Sequence, residues 1–180
     1  MAITPSSGSG SATEPACEGI IRLVRIRDRE QADLQPCVEL LEMVHVANQY
    51  PTLWPVDPRA WLSPAGLLTA LVAVQQDEIL GHVAVIAKPE QPDREVVELS
   101  RLFVSSDHQR RGVGAALADS VVDYARQLGC GLVLVVVDDR SGTLGFYQRR
   151  GWRFTGRTPA NWQLCDGSRP TLAHFQYPCR

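Results

Sequence analysis

No two of the five cysteines (Cys17, Cys37, Cys130, Cys165, Cys179) form a C-x-x-C pair. The chain therefore lacks both a zinc-ribbon spacing and a thiol redox motif. The count is odd and the spacings are wide, which suits a reducing, cytoplasmic setting better than a disulfide framework. Basic excess is missing too: 18 Lys+Arg against 20 Asp+Glu leave a formal net charge of −2. No nucleic-acid partner is expected from that balance. No apolar run is long enough to cross a bilayer, so no membrane partner is expected. The opening stretch, MAITPSSGSGSATEP, has neither the basic nor the apolar region of a signal peptide. His45, His82, His108 and His174 are scattered without metal-ligand spacing, and no metal is expected.

What is present is ordinary globular material. The 180 residues are 44% hydrophobic and 21% charged, the length of one domain with a substantial core. Residues 1–18 are mostly small or polar and predict a disordered tail before a single domain over 19–180. Gly19–Arg27 nearly alternates apolar residues with arginines, as a half-exposed strand does. Asp33 offers an N-cap, with Pro36 in the first turn, for a helix to about Ala47. Its apolar face is predicted as Leu34, Val38, Leu41 and Val44. Asn48–Pro64 holds four prolines and two tryptophans and is too irregular for a long element.

Leu67–Gln75 and Glu78–Ala87 predict a hairpin about Gln76-Asp77, and Val96–Val104 a further strand. Val113, Leu117, Val121, Tyr124 and Leu128 mark one face of a helix from Gly112 to a stop at Gly129. Asp119, Asp123 and Arg126 lie off that face. Leu132–Val137 reads as a strand buried on both faces, paired in parallel beside a crossover helix. Ser141 is predicted to cap a short helix through Arg150, ended by Gly151. WRFTGR and TLAHFQYP close the chain as two strands. This order predicts an α/β (α+β) domain, with a mixed central sheet of six to seven strands and helices on both faces.

HQRRGVGAAL (His108–Leu117) is built to meet phosphate. Amides at a helix start are unpaired and carry a positive field. Gly112 and Gly114 allow close approach, while Arg110 and Arg111 add charge and forked donors. GVGAAL begins like the dinucleotide fingerprint, and Asp138 follows the next strand where a ribose-binding acid would stand. Against that reading, Leu117 replaces the third glycine and the polar stretch Ser105–Arg111 separates strand from glycines. A P-loop would need GKS or GKT after the glycines.

LFVSSDHQRRGVGAAL, with Gln109, Arg110, Arg111, Gly112, Val113, Gly114 and Ala115 filling Gln/Arg-x-x-Gly-x-Gly/Ala, resembles the acetyl-CoA signature of the GNAT superfamily of N-acetyltransferases. GTLGFYQRRGWRF (Gly142–Phe154) resembles that family's helix carrying a Tyr followed by Gly and an aromatic. The resemblance runs from Gly19 to Tyr177. It implies a sheet splayed between the fourth and fifth strands, with acetyl-CoA as acyl donor in the gap and an amine as acceptor. The backbone of Leu102, Phe103 and Val104 would bind pantetheine, one N–H polarising the acetyl carbonyl. The amides of Gln109–Ala115 would hold the pyrophosphate. Tyr147 would be the acid that protonates the departing thiolate; its other reading is a packed aromatic beside Leu144. Homodimers are common among proteins of this kind.

An alkyl ammonium near pKa ~10 is almost fully protonated at pH 7, so the acceptor benefits from a base. Glu98 is the candidate. It interrupts an apolar strand, where a cleft would desolvate its carboxylate; the alternative is a surface carboxylate or a partner for Arg101. Where the family often has Asn, seven residues before the Tyr, this chain has Arg140, and the Asn role does not transfer. Gly142 and Gly145 each weaken their helix by ~1 kcal/mol relative to Ala. His108 adjoins the phosphate loop, either touching phosphate or facing solvent. YPTLWPVDPRAWL falls where the family's acceptor loop lies. There Trp54, Asp57, Arg59 and Trp61 are expected as an acceptor wall, or the tryptophans as cover for the core. A near-neutral chain argues against a polyamine acceptor. The competing function is a non-catalytic acyl-CoA-binding sensor of the same fold.

Overall fold

The computed structural model describes residues 24–88, 95–138 and 142–178. The predicted tail, Arg140 and the capping role given to Ser141 lie outside the described residues.

Seven strands form one sheet in the order β1-β2-β3-β4-β5-β7-β6. They are β1 (Arg25–Asp28), β2 (Leu67–Gln75), β3 (Glu78–Lys88), β4 (Val96–Val104), β5 (Gly131–Val137), β6 (Arg153–Pro159) and β7 (Thr171–Tyr177). The hairpin β2–β3 turns at Gln76 and Asp77, whose φ values of 50° and 66° match the twist of the strands they join. All ladders are antiparallel except β4–β5.

Helices cover both faces. Helix α1 (Leu34–Asn48) packs Cys37, Leu40, Leu41 and Val44 against Val72, Val74 and Phe103. Cys37 and Leu40 thus belong to the buried face, while Val38 is only half-buried. Asp33 does stand at the N-cap position, but its carboxylate makes no cap bond. It accepts from Arg27 (2.5 and 2.9 Å) and from the Glu30 amide (2.7 Å), closing a 3-10 turn ahead of the helix. On the other face, α3 (Val113–Leu128) buries Val113, Leu117, Ala118, Val121, Val122 and Ala125. Leu128, expected on this face, is the last residue of the helix and is 50% exposed. The irregular loop holds one short helix, α2 (Pro58–Leu62), which Asp57 caps by accepting from the Ala60 amide (3.0 Å). Helix α4 (Thr143–Arg149) has Gly142 as its N-cap.

β4 and β5 run side by side only from Val96–Gly131 to Leu99–Leu134. Beyond that β4 follows β3 to Val104, while β5 follows β7 to Val137. The expected splay is this fork. One expectation is corrected: in β5 only Gly131, Leu132 and Leu134 are buried, while Val133 and Val135–Val137 are half-buried. Gly81 holds the undivided side together. A Cβ there would meet the Phe103 carbonyl oxygen at 2.9 Å and Leu117 Cδ1 at 3.0 Å, so only glycine lets β3, β4 and α3 close.

Candidate active site

The fork opens into a cavity of about 490 Å³. Leu99–Leu102 form its β4 wall and Val135–Val137 its β5 wall; Thr143 and Tyr147 of α4 face it too. The chain from Asn48 to Leu53, Trp61 of α2, Trp162 and Leu172, the β7 partner of Val137, complete the lining. Of the predicted pantetheine residues, only Leu102 lines the cavity. Phe103 is buried in the α1-side core, and Phe103 and Val104 pair with His82 and Gly81 of β3.

The β4 wall is shaped by a bulge. Between the pairs His82–Phe103 and Ala84–Ser100, two β4 residues oppose one β3 residue. Arg101 sits there with φ 53°, in the left-handed region. A polar chain through the buried His82 supports it. Arg29 donates to the Leu62 carbonyl (2.8 Å), the Ser63 hydroxyl (2.8 Å) and His82 Nε2 (3.1 Å). A guanidinium only donates, so Nε2 accepts and Nδ1 carries the proton. Nδ1 then donates to the Arg101 carbonyl (3.1 Å). Burial pushes the His82 pKa down to about 3, despite the favourable bond to that carbonyl. The Arg101 guanidinium lies over the Trp61 ring (4.8 Å), donates through Nε to the Trp61 carbonyl and through Nη1 to Ser100 (3.1 Å).

The Gly loop leads from the end of β4 into α3. Arg110 and Gly112 take left-handed φ values of 60° and 87° on either side of Arg111, an alternation that turns successive amides to one side as an anion nest does. No side chain caps the helix start. Arg110 and Arg111 are both exposed. A Cβ on Gly112 would meet nothing within 4 Å, so its conformation is what calls for glycine. On Gly114 it would touch Val104 at 3.5 Å, an ordinary contact. His108 is half-buried, and its Nδ1 is buried without a hydrogen-bond partner.

Tyr147 is a packed aromatic, as one expected reading had it, and it also faces the cavity. Its ring is 3% exposed and packs against Phe146, Trp152 and Phe175, at centroid separations of 5.0, 5.7 and 6.0 Å. The residue nonetheless lines the cavity. Burial, with the negative charge Tyr50 would carry, holds its pKa well above the usual phenol value. Tyr50, across the cavity, is raised by burial as well, against the opposing charge of Arg101. Glu98 is not brought to this place. It lies outside the lining and pairs with Lys88 (3.0 Å) rather than with Arg101.

Only Trp61 of the expected acceptor wall reaches the cavity. Trp54 packs against His45 with tilted rings 5.2 Å apart, Asp57 is occupied as a cap, and Arg59 donates to Gln35 (2.6 Å). Arg101, Tyr50 and Trp162 were not foreseen. Arg101 had a signal, a cation inside the apolar run VVELSRLFV; Trp162 had none, because only the fold returns its loop to β5. Among the described residues, no cluster of three or more His, Cys, Asp or Glu side chains is placed to hold a metal, and no helix is long and apolar enough to cross a membrane.

Residues 31–152 match the family model for the Acetyltransferase (GNAT) family. Mycothiol acetyltransferase of Rhodococcus erythropolis is 34% identical over 94 residues, covering 51% of this chain and 31% of that protein. The chain thus spans about a third of the length of that relative. N-acetyltransferase 8 of Rattus norvegicus is 34% identical over 112 residues, 59% of this chain and 49% of that one. Among solved structures, the ribosomal-protein-S18-alanine N-acetyltransferase of Escherichia coli aligns with TM-score 0.69 over 87% of this chain and 94% of its own, at 18% identity. Arabidopsis thaliana NAA60 in complex with acetyl-CoA gives 0.69 over 86% and 98%, at 17% identity. Identities this low speak for the fold alone.

Proposed function

The chain belongs to the GNAT acetyltransferase family, and from that premise we propose that it moves an acetyl group from acetyl-CoA to a primary amine by direct transfer. One observation carries the reading. The parted strands β4 and β5 open a cavity onto Tyr147, and the chain leaving β4 runs directly into the nest at the start of α3. A molecule with a pyrophosphate and a long thin arm suits that path. The amides of Gln109–Ala115 would take the pyrophosphate, with Arg110 and Arg111 adding charge. The freed backbone edge of β4 beyond Leu99, at Leu102 and its neighbours, would receive the arm and offer an N–H to the carbonyl.

Transfer forms a C–N bond and breaks the C–S bond of the thioester. Tyr147 donates its proton to the departing sulfur and recovers one from solvent. Its raised pKa keeps it protonated throughout the working range. The acceptor nitrogen loses a proton as it attacks. Glu98, held by Lys88 outside the lining, would accept that proton only through water. The reducing, cytoplasmic setting is supported by the free thiols of Cys37 and Cys165.

Thiol release from acetyl-CoA across a panel of amines tests the activity. Stabilisation by acetyl-CoA with no release for any amine would instead favour the acyl-CoA sensor.

A further inference from the structure

Building on the acetyltransferase reading, we propose that the acceptor is an amine that also carries a carboxylate and an apolar body, with Arg101 as the residue that reads the carboxylate.

Arg101 is half-buried on the cavity wall, yet it takes part in none of the ion pairs among the described residues. Cations removed from water are normally paired. Glu98, the acid that acts on it electrostatically, is bound to Lys88 instead. Nε and Nη1 are engaged by Trp61 and Ser100, which leaves the Nη2 edge without a protein partner among the described residues. Planar carboxylates match such an edge.

The side chain is aimed rather than adrift. The bulge re-directs it, His82 holds its carbonyl, and Trp61 supports the guanidinium from below. Burial also lowers the basicity of Arg101, so an anion arriving there relieves a desolvated charge.

The rest of the lining agrees. Among the described residues of the lining there is no Asp or Glu, and Arg101 is the one ionised side chain there at neutral pH. That charge repels a second ammonium and attracts a carboxylate. Tyr50, Leu53, Trp61 and Trp162 offer apolar surface for the remainder of the molecule. Tyr50 lies within electrostatic reach of both Arg101 and Tyr147, so the carboxylate site and the proposed acid adjoin one space.

The test measures kcat/KM at saturating acetyl-CoA for L-phenylalanine and L-leucine beside L-phenylalaninamide and L-leucinamide. The wild-type protein is expected to prefer the acids by about tenfold or more, the scale of one buried charge-assisted contact. Arg101→Gln should erase that preference, and Arg101→Lys should restore part of it, because it keeps the charge without the fork. Melting temperature and acetyl-CoA affinity identify a variant that fails to fold; the wild-type comparison then decides alone. Equal use of acid and amide, a preference that survives in folded Arg101→Gln, or acetylation of a polyamine or peptide but of neither acid would each overturn the inference and leave the acetyltransferase reading standing. No transfer to any amine, with acetyl-CoA bound, removes that reading and this inference with it.

Discussion

His82 Nδ1–H donates to the carbonyl of Arg101 at 3.1 Å, where β4 bulges and Arg101 takes φ 53°. This bond joins a neutral imidazole at the centre of the sheet to the wall of the cavity. Arg29 completes it from the other side and ties both to the end of α2.

Stability should therefore fall with acid in a defined window. His82 has a pKa near 3 in the folded chain against about 6.5 when unfolded. Between those values the unfolded chain binds the extra proton, so stability declines as pH drops from about 6.5 toward 3, by at most about 1.4 kcal/mol per unit. Urea unfolding at pH 7, 6 and 5 measures it. A flat profile across that range would show that His82 is not held neutral.

Tyr147→Phe should fold and bind acetyl-CoA like the wild type, because its ring contacts with Phe146, Trp152 and Phe175 persist. Loss of the acid should lower kcat by about 10²-fold. Stopped-flow thiol release reads the change, and full turnover in this variant would refute the assignment.

Glu98→Gln breaks the pair with Lys88 but removes nothing from the cavity lining. The expected fall in kcat/KM is less than about fivefold, small against the 10²–10⁴ of a direct general base. A hundredfold fall with unchanged acetyl-CoA affinity would restore Glu98 as that base.

Gly112→Ala places a Cβ in open space but at φ 87°. The left-handed conformation costs an L-residue roughly 1–2 kcal/mol, and relaxation of the loop turns its amides away from the nest. Acetyl-CoA affinity measured by calorimetry should drop about tenfold. Unchanged affinity would mean that the loop amides do not hold the pyrophosphate.

Gly81→Ala acts by contact instead. Its methyl would lie 2.9 Å from the Phe103 carbonyl oxygen, an atom of the backbone that cannot swing aside. A melting temperature lowered by several degrees is expected, in line with roughly 1–3 kcal/mol of overpacking; an unchanged one would show that β3 and β4 can part without cost.

Much of the fold was legible because its signals are local. The Gln76-Asp77 turn, the apolar run of β4 and the 3.6-residue period of α3 depend on neighbours along the chain. The Gly loop was legible for the same reason, since a helix start and its glycines are contiguous. Side-chain destinations were not. Asp33 marks the start of α1 yet serves Arg27 and Glu30 rather than the helix, and Asp57 caps α2 instead of facing an acceptor. Each choice turned on which donor the fold brought near.

The sequence by itself determined the main elements, their order and the glycine loop before α3, because period, turn chemistry and helix starts are written within a few residues of one another. Only the tertiary structure decided where the strands part, that Glu98 meets Lys88, and that Arg101 enters the cavity beside Tyr50 and Trp61. Those outcomes rest on a bulge held by His82 and Arg29, and on segments far apart in the chain meeting across one sheet, where packing rather than local preference selects the partner.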